Sequence, residues 1–313
     1  MDNIFTATFF VSIFASTIRL ATPILLTALG EIYTQRSGIL NLGLEGTMTM
    51  SAMAGFVCAY FSKSLFIGFL GGIVIGMICS AFMAFLSVTI RANQVIAGTA
   101  LTILGIGFSS FIYRIIFGIQ KLPPQVESLT KFDVPLLSRI PYIGTIFFQH
   151  NLIVYLAYIL AIINWVVLEK TTFGLNVKAV GEHPRAADSK GISVTKIRYT
   201  AVIIGGAFAG LSGAFMSIAY MNSFSDTMIA GRGFIAVAVV VFARWNPLRA
   251  MAGSLLFGIA SALQIRFQAI GVPIPNQFLL MLPYLVTIIA LITVSKKAEF
   301  PSAYTKPYSR MER

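Results

Sequence analysis

Ionisable side chains are scarce in the apolar stretches of this 313-residue chain, so the few found there are the first candidates for chemistry. Arg19 and Glu45 are two of them. At 1.5 Å per residue both lie about 10–15 Å from the same boundary of their apolar segments, which permits a buried Arg19–Glu45 ion pair. An ionisable group inside a membrane is a functional candidate, for instance a proton carrier; the competing reading is a brace that locks two helices. Pro23 leaves the Arg19 carbonyl without its helical donor and loosens the backbone there. Neutral polar groups also recur at helical spacing. Asn41, Glu45 and Thr49 share one helix face, and Gln264 and Gln268 share another. Asn93 and Gln94 open one apolar segment and Asn222 closes another. Such amides and hydroxyls suit a polar, uncharged solute carrying several hydroxyls or a base edge. They serve equally as glue between helices, worth about 0.6–2 kcal/mol each.

Other chemistry is excluded by what is missing. No GxxxxGK[ST] phosphate loop occurs, and no HExxH, GxSxG or Cys/His metal spacing. His150 and His183 fall on opposite sides of the expected membrane and cannot share a site. No catalytic residue, metal site or cofactor is expected on this chain, and an enzyme is the least suitable class.

The remaining candidate is a surface rather than a pocket. Residues 174–199 interrupt the apolar pattern with dense charge: Lys178, Arg185, Lys190, Lys196 and Arg198, with Lys170 beside them, against Glu169, Glu182 and Asp188. Within this stretch Glu182, His183, Pro184, Arg185, Ala186, Ala187, Asp188, Ser189, Lys190 and Gly191 predict a short helix and its flanks. Pro184 suits the first helical position, where its missing N–H has no partner to lose. Gly191 suits the residue after the helix, where the backbone turns left-handed. Two turns alone in a basic loop have little stability of their own, so the segment reads as a part that docks on something in the cytosol.

The elements that must hold these groups follow from composition. The chain is 57% apolar and 11% charged, more apolar than a water-soluble domain conceals. Its apolar runs approach or exceed the ~20 residues a helix needs to cross a bilayer, and the alternating ten-residue strands of a barrel are missing. The expectation is one all-α, polytopic membrane domain over 1–313, a bundle of about nine (8–10) helices. The segments lie near 5–29, 38–61, 65–90, 93–118, 151–168, 199–221, 229–243, 250–270 and 277–294. Gly38, Gly43 and Gly46 weaken the start of the second, and the seventh is short enough to be tilted or re-entrant. The opening MDNIFTATFF has no basic stretch, so the first segment is expected to stay in the mature chain.

Arg36, Arg91, the 170–198 segment, Arg244, Arg249 and a tail with Lys296, Lys297, Lys306, Arg310 and Arg313 share one side. The positive-inside rule makes that side cytoplasmic, with the N-terminus outside and the C-terminus inside. The net charge of +12 is thereby explained by topology and does not imply a nucleic-acid polymer as partner. Segment 120–150, with four prolines and partly balanced charge, becomes an outer loop that either covers the helix ends or docks a partner. Gly68, Gly72, Gly76, Ser80 and Ala84 form a small-residue stripe, as do Gly206, Gly210 and Ala214 with Gly205, Ala209 and Gly213 beside them. These predict close packing of helices within the chain rather than a homodimer seam. Cys58 and Cys79, inside apolar runs, read as free thiols.

Four ordered stretches carry a family resemblance: ATPILLTALGEIYTQRSGILNLGLEG (21–46), RANQVIAGTALTILGIG (91–107), GLNVKAVGEHPRAADSKGISVTKIRYTA (174–201) and AGRGFIAVAVVVFARWNPLRA (230–250). The chain resembles membrane subunits of bacterial ABC importers, in the simple-sugar/nucleoside permease group related to ribose and branched-chain amino-acid permeases. The resemblance implies a type II importer-like permease in the cytoplasmic membrane. It also implies a separate ATPase subunit that binds ATP and Mg, a second permease subunit (a paralogue by expectation) and an extracytoplasmic substrate-binding protein or lipoprotein. Glu182–Gly191 then corresponds to the coupling helix. Nucleosides are the expected solute and ribose-like sugars the alternative; a proton-coupled carrier is the rival from another class. Ala243 and Arg249 stand where the family usually has Gly, which puts the details of that segment end in question.

Overall fold

The computed structural model describes residues 7–119, 122–133, 135, 137–271, 275–295 and 299–310. Lys296, Lys297 and Arg313, included in the charge pattern above, lie outside them. The helices are α1 (Ala7–Arg36), α2 (Leu44–Ser62), α3 (Leu65–Ala84), α4 (Gln94–Phe117), α5 (Ile143–Phe147) and α6 (Leu152–Lys170). They continue with α7 (Thr172–Glu182), α8 (Pro184–Ser189), α9 (Val194–Ala214), α10 (Arg232–Phe242), α11 (Pro247–Ile270) and α12 (Asn276–Ser295). Wider π turns extend α3 through Thr89 and α9 through Tyr220. Between α4 and α6, β1 (Lys131–Asp133) pairs antiparallel with β2 (Gln149–Asn151), Phe132 opposite His150.

Each of the nine apolar segments holds a helix. Among the described residues six helices have the length and apolarity to cross a membrane: α1, α3, α4, α6, α9 and α11. The second segment, expected as a helix from 38, becomes helical only at Leu44. The seventh is an 11-residue helix, about 16 Å long and so about half a hydrocarbon core. The first runs on to Arg36, which carries Glu31 and Gln35 within the helix rather than in a loop.

α1 is the axis of the bundle. Its residues from Leu20 to Gln35 are buried on every face, as an all-round apolar helix requires when neighbours enclose it. α9, α10, α11 and α6 pack around it, with Trp245, Phe257 and Phe215 filling the largest gaps. α3, α4 and α6 turn Phe66, Leu70, Ile103, Ile115 and Ile162 outward, an apolar surface suited to lipid.

The small-residue stripes meet each other, within the chain. α3 lies along α9 so closely that a Cβ on Gly76 would stand 2.7 Å from the Gly210 Cα, and one on Gly210 only 2.9 Å from the Ile73 Cα. Real Cβ atoms do not approach backbone so closely, so these glycines set the helix separation. Gly76→Leu is expected to prevent recovery of a folded, detergent-stable protein. Gly107→Leu, where a Cβ meets open space, should stay within about 0.5 kcal/mol of the parent on that count. Thermal unfolding of the two purified variants checks this. Cys58 and Cys79 are free thiols, Cys79 packed against the Met50 sulfur at 3.6 Å.

Candidate functional site

Residues 37–43 connect α1 to α2: the N–H groups of Ser37, Gly38 and Ile39 close the last turn of α1, and the stretch beyond them is non-helical until α2, packed against α4, α9 and the tail. Backbone groups cut off from water must find partners, and here side chains from three helices supply them. The Gln94 Oε1 accepts the Leu40 N–H at 2.8 Å, and the Glu31 Oε1 accepts the Asn41 N–H at 3.2 Å. The Asn41 Oδ1 accepts the Gly43 N–H at 2.9 Å, and the Thr102 hydroxyl donates to the Leu42 carbonyl at 3.0 Å. On the other side of the break the Arg198 Nε donates to the Ser37 carbonyl at 3.2 Å. Gly43, Gly46 and Gly98 let this connection and the first turn of α2 touch α4, since a Cβ on any of them would collide with the opposing chain.

α2 starts at this break and α10 starts against it. Glu45, in the first turn of α2, directs its carboxylate at the first turn of α10: Oε1 accepts the Gly231 N–H and Oε2 the Gly233 N–H, each at 2.7 Å. The N-terminal amides of a helix carry partial positive charge and lack internal acceptors, so a carboxylate is their natural partner. The Arg19–Glu45 pair is therefore not formed. Arg19 instead donates to Ser16 at 3.2 Å and lines a cavity with Tyr220 and Arg266. Equal depth along two helices says nothing about which faces meet, and here the faces differ. Arg232 donates to the carbonyls of Met228 and Ile229 at 3.0 and 2.9 Å, closing the turn before α10.

The other polar candidates divide. Asn41, Glu45 and Gln94 lie at the break with side-chain oxygens that accept backbone N–H groups, while the buried Asn41 Nδ2 has no hydrogen-bond partner. The Thr49 hydroxyl bonds the Glu45 carbonyl within its own helix at 2.8 Å. Asn93 caps α4, its Oδ1 accepting from Val95 and Ile96 at 3.0 and 3.3 Å. Asn93→Ala is expected to lower stability by about 1 kcal/mol with transport retained, measured by denaturant titration and uptake. Asn222 takes a left-handed turn after α9, where its carbonyl receives the Val126 N–H at 3.0 Å. Gln268 is half-buried on α11. Gln264 is the candidate that faces a cavity, of about 360 Å³, shared with Arg232, Ser261 and Tyr284.

The charged stretch 174–198 is more helical than expected: α7, α8 and the start of α9 occupy most of it. α8 begins at Pro184 with His183 as the residue before it, and Gly191 has φ +82°. Arg185, Ala186 and Ser189 are exposed while Ala187 packs with Val180 and Val194. The same face carries Arg244 and Arg249, both exposed, and the tail 299–310. Ala243 is fully buried with φ −74°, a conformation alanine takes without strain, and Asn246 caps α11 by accepting from Leu248 and Arg249.

Sequence reasoning missed a second buried carboxyl. Glu31 accepts from Gln35 at 3.0 Å as well as from Asn41, and Gln35 in turn accepts the Trp245 indole N–H at 2.9 Å. Arg198, read there as a loop charge, is 1% exposed. The spacing Glu31–Gln35 (i, i+4) inside an apolar run was the available signal. Tyr304 of the tail lies over this network: burial first, and the Glu31 charge second, hold its hydroxyl well above the ordinary tyrosine range. His150 is buried in the β1–β2 ribbon, its Nε2 2.7 Å from the Ile146 carbonyl, and serves the fold.

Comparison with known proteins bears on this arrangement. Residues 13–291 match the family described as "Branched-chain amino acid transport system / permease component". The chain is 37% identical to the guanosine ABC transporter permease protein NupQ of Bacillus subtilis, covering 95% of this chain and 96% of that one. It is 38% identical to the nucleoside ABC transporter permease protein NupC of Lactococcus lactis (90% and 92%). It is equally, 38%, identical to TsgC13 of Haloferax volcanii (94% and 96%), an ABC transporter permease whose name offers glucose as an unproven assignment. In fold it is similar to a solved inward-facing ABC transporter assigned, without proof, to the metal-chelate type, with TM-score 0.51 and 14% identity over 95% of this chain and 89% of that one.

Proposed function

The chain belongs to the permease-component family of branched-chain amino acid transport systems, and on that premise we propose that it is half of an ATP-driven nucleoside import pathway. It is a multi-pass membrane permease of the ABC class, a transport subunit. In the proposal a separate ATPase binds ATP and Mg, grips α8 and its flanks Glu182–Gly191, and faces the cytoplasm. A second permease subunit, a paralogue, completes the pathway, and an extracytoplasmic binding protein delivers the solute to the side of the 122–151 ribbon. The N-terminus lies outside and the C-terminus inside, because the basic residues of α7, α8, Arg244, Arg249 and the tail gather on one face.

The observation that carries this reading is α8 itself. It is a short helix, opened by Pro184 and followed by the left-handed Gly191, with exposed charge and one buried residue, Ala187. Such an element gains little for the fold, and its form suits a moving contact with a partner. A nucleoside is favoured as solute because two relatives that match over at least 90% of this chain are named for nucleosides or guanosine. The cavity with Arg232, Ser261, Gln264 and Tyr284 offers donors for a base edge and an aromatic face for stacking. Glucose or another simple sugar is the second reading, carried by the equal identity to TsgC13.

A cross-linking experiment tests the docking. In a chain with Cys58 and Cys79 replaced, Ser189→Cys is expected to cross-link to the co-expressed ATPase. Ser62→Cys, at the far end of α2, should not. Labelling at the second site in place of the first would reverse the proposed orientation. Competition for labelled guanosine uptake by nucleosides, and its indifference to glucose and ribose, decides the solute.

A further inference from the structure

By sequence the tail appears only as a supply of positive charge, yet every residue from Pro301 to Lys306 takes part in a hydrogen bond. One set of contacts ties the tail to the end of α7 and to α8. The Ser302 N–H and hydroxyl both donate to the Glu182 Oε2, at 3.1 and 2.8 Å. The Ala303 N–H donates to the Gly181 carbonyl at 2.9 Å, and Arg310 pairs with Asp188 at 3.2 Å. A groove of about 510 Å³ runs between the tail and α8, walled by Pro184, Arg185, Lys306 and Tyr308.

The other set ties the same residues to the break at 37–43. The Thr305 N–H donates to the Gly38 carbonyl at 2.9 Å. Arg198 bridges both partners, with Nε on the Ser37 carbonyl and Nη1 on the Lys306 carbonyl at 3.1 Å. The Phe300 ring meets Trp245 edge-on at 5.0 Å between centroids, and Trp245 holds Gln35 and, through it, Glu31. Only two residues separate Ser302, bonded to the docking segment, from Thr305, bonded to the break. A link that short, anchored at both ends, has no slack to absorb a displacement.

We propose that the tail is a tie rod: it carries movement of α8 to the broken helix, with Glu182, Ser302, Thr305 and Phe300 as positioning residues of the coupling step. This rests on the reading of α8 as the ATPase contact. Helices α7 and α9 also join α8 to the bundle and reach the break as well, through Gly181 packed on the Arg36 carbonyl and Arg198 bonded to the Ser37 carbonyl. The tail leads to the interrupted backbone that Glu31, Gln94 and Thr102 hold together.

The test uses the complete transporter in liposomes and reads three quantities: ATPase retained on the permease, ATP hydrolysed, and solute moved per ATP. Ser302→Pro removes both donors to Glu182. It is expected to keep the ATPase bound and hydrolysing while solute per ATP falls at least fivefold. Phe300→Ala, cutting the opposite anchor, is expected to give the same signature at threefold or more, and does not depend on the first variant folding. Glu182→Cys with Ser302→Cys, joined by a short thiol cross-linker in a chain lacking Cys58 and Cys79, is expected to restore the ratio to within twofold of the parent. A parental ratio in both single variants overturns the proposal. So does an uncoupled transporter after cross-linking, or loss of bound ATPase in step with transport, which would make the tail part of the grip and not the rod. Failure of the parent chain to bind any ATPase would instead sink the reading of α8, and is seen in the first readout alone.

Discussion

Glu45→Ala is expected to abolish uptake and to remove a large share of the protein's stability. The carboxylate is 6% exposed and accepts two amides, Gly231 and Gly233, that open α10. Without it both donors stay buried with no acceptor, at about 1–3 kcal/mol each, so the loss approaches the ~5 kcal/mol that can be all the stability a domain has. No neighbour can fill in. A Cβ on Gly233 would already stand 2.6 Å from the Glu45 nitrogen, so the two backbones are locked at closest approach. Glu45→Gln keeps one acceptor oxygen but presents an N–H₂ to the second amide, and should fall between the parent and the alanine variant. Arg19→Gln is the control, since its guanidinium reaches Ser16 and not Glu45. Thermal unfolding in detergent, with uptake measured alongside, orders the series. An Arg19→Gln loss as large as that of Glu45→Ala would revive the ion pair, and a stable Glu45→Ala would show that α10 is held by other means.

Ala187→Pro should leave a folded membrane protein in which ATP hydrolysis by the partner subunit is uncoupled from uptake. The Ala187 N–H donates to the His183 carbonyl at 3.0 Å, closing the first turn of α8. Proline there removes the bond and clashes with that same carbonyl, costing about 3 kcal/mol or more, over a hundredfold in the helix equilibrium. α8 has six residues and no cooperative reserve against such a change. The bundle core around α1 does not include it, so insertion and unfolding temperature of the purified chain should stay near those of the parent. Unimpaired uptake in this variant would count against α8 as the place where force enters.

Much of this architecture is visible in the chain and some is not, for identifiable reasons. The α3–α9 seam is legible because a small residue every fourth position has one physical use in lipid. α8 is legible because Pro184 and Gly191 bracket it with opposite backbone requirements. The irregular entry of α2 is half legible, from three glycines, but its true start at Leu44 depends on acceptors from Gln94 and Glu31 that lie far off in sequence. Arg19 and Glu45 mislead because depth is readable from a linear chain and azimuth between two helices is not. Asn41 and Gln94 mislead differently: an amide facing a solute and an amide completing a broken backbone have the same sequence signature. Glu31 is hidden by the assumption that the first apolar segment stops near residue 29. The tail is hidden because most of its hydrogen bonds run through backbone N–H and C=O groups, which every sequence possesses.

The central claim is that this permease is moved by nucleotide hydrolysis in another subunit, and vesicle transport measures that directly. The chain is reconstituted with its paralogous permease and the ATPase, with binding protein and labelled guanosine supplied on the side of the 122–151 ribbon. Guanosine is expected to accumulate against its gradient only when ATP and Mg reach the α8 side, and to be indifferent to a protonophore. Accumulation by the permease alone, or accumulation that needs no ATP and collapses with the protonophore, would contradict the account.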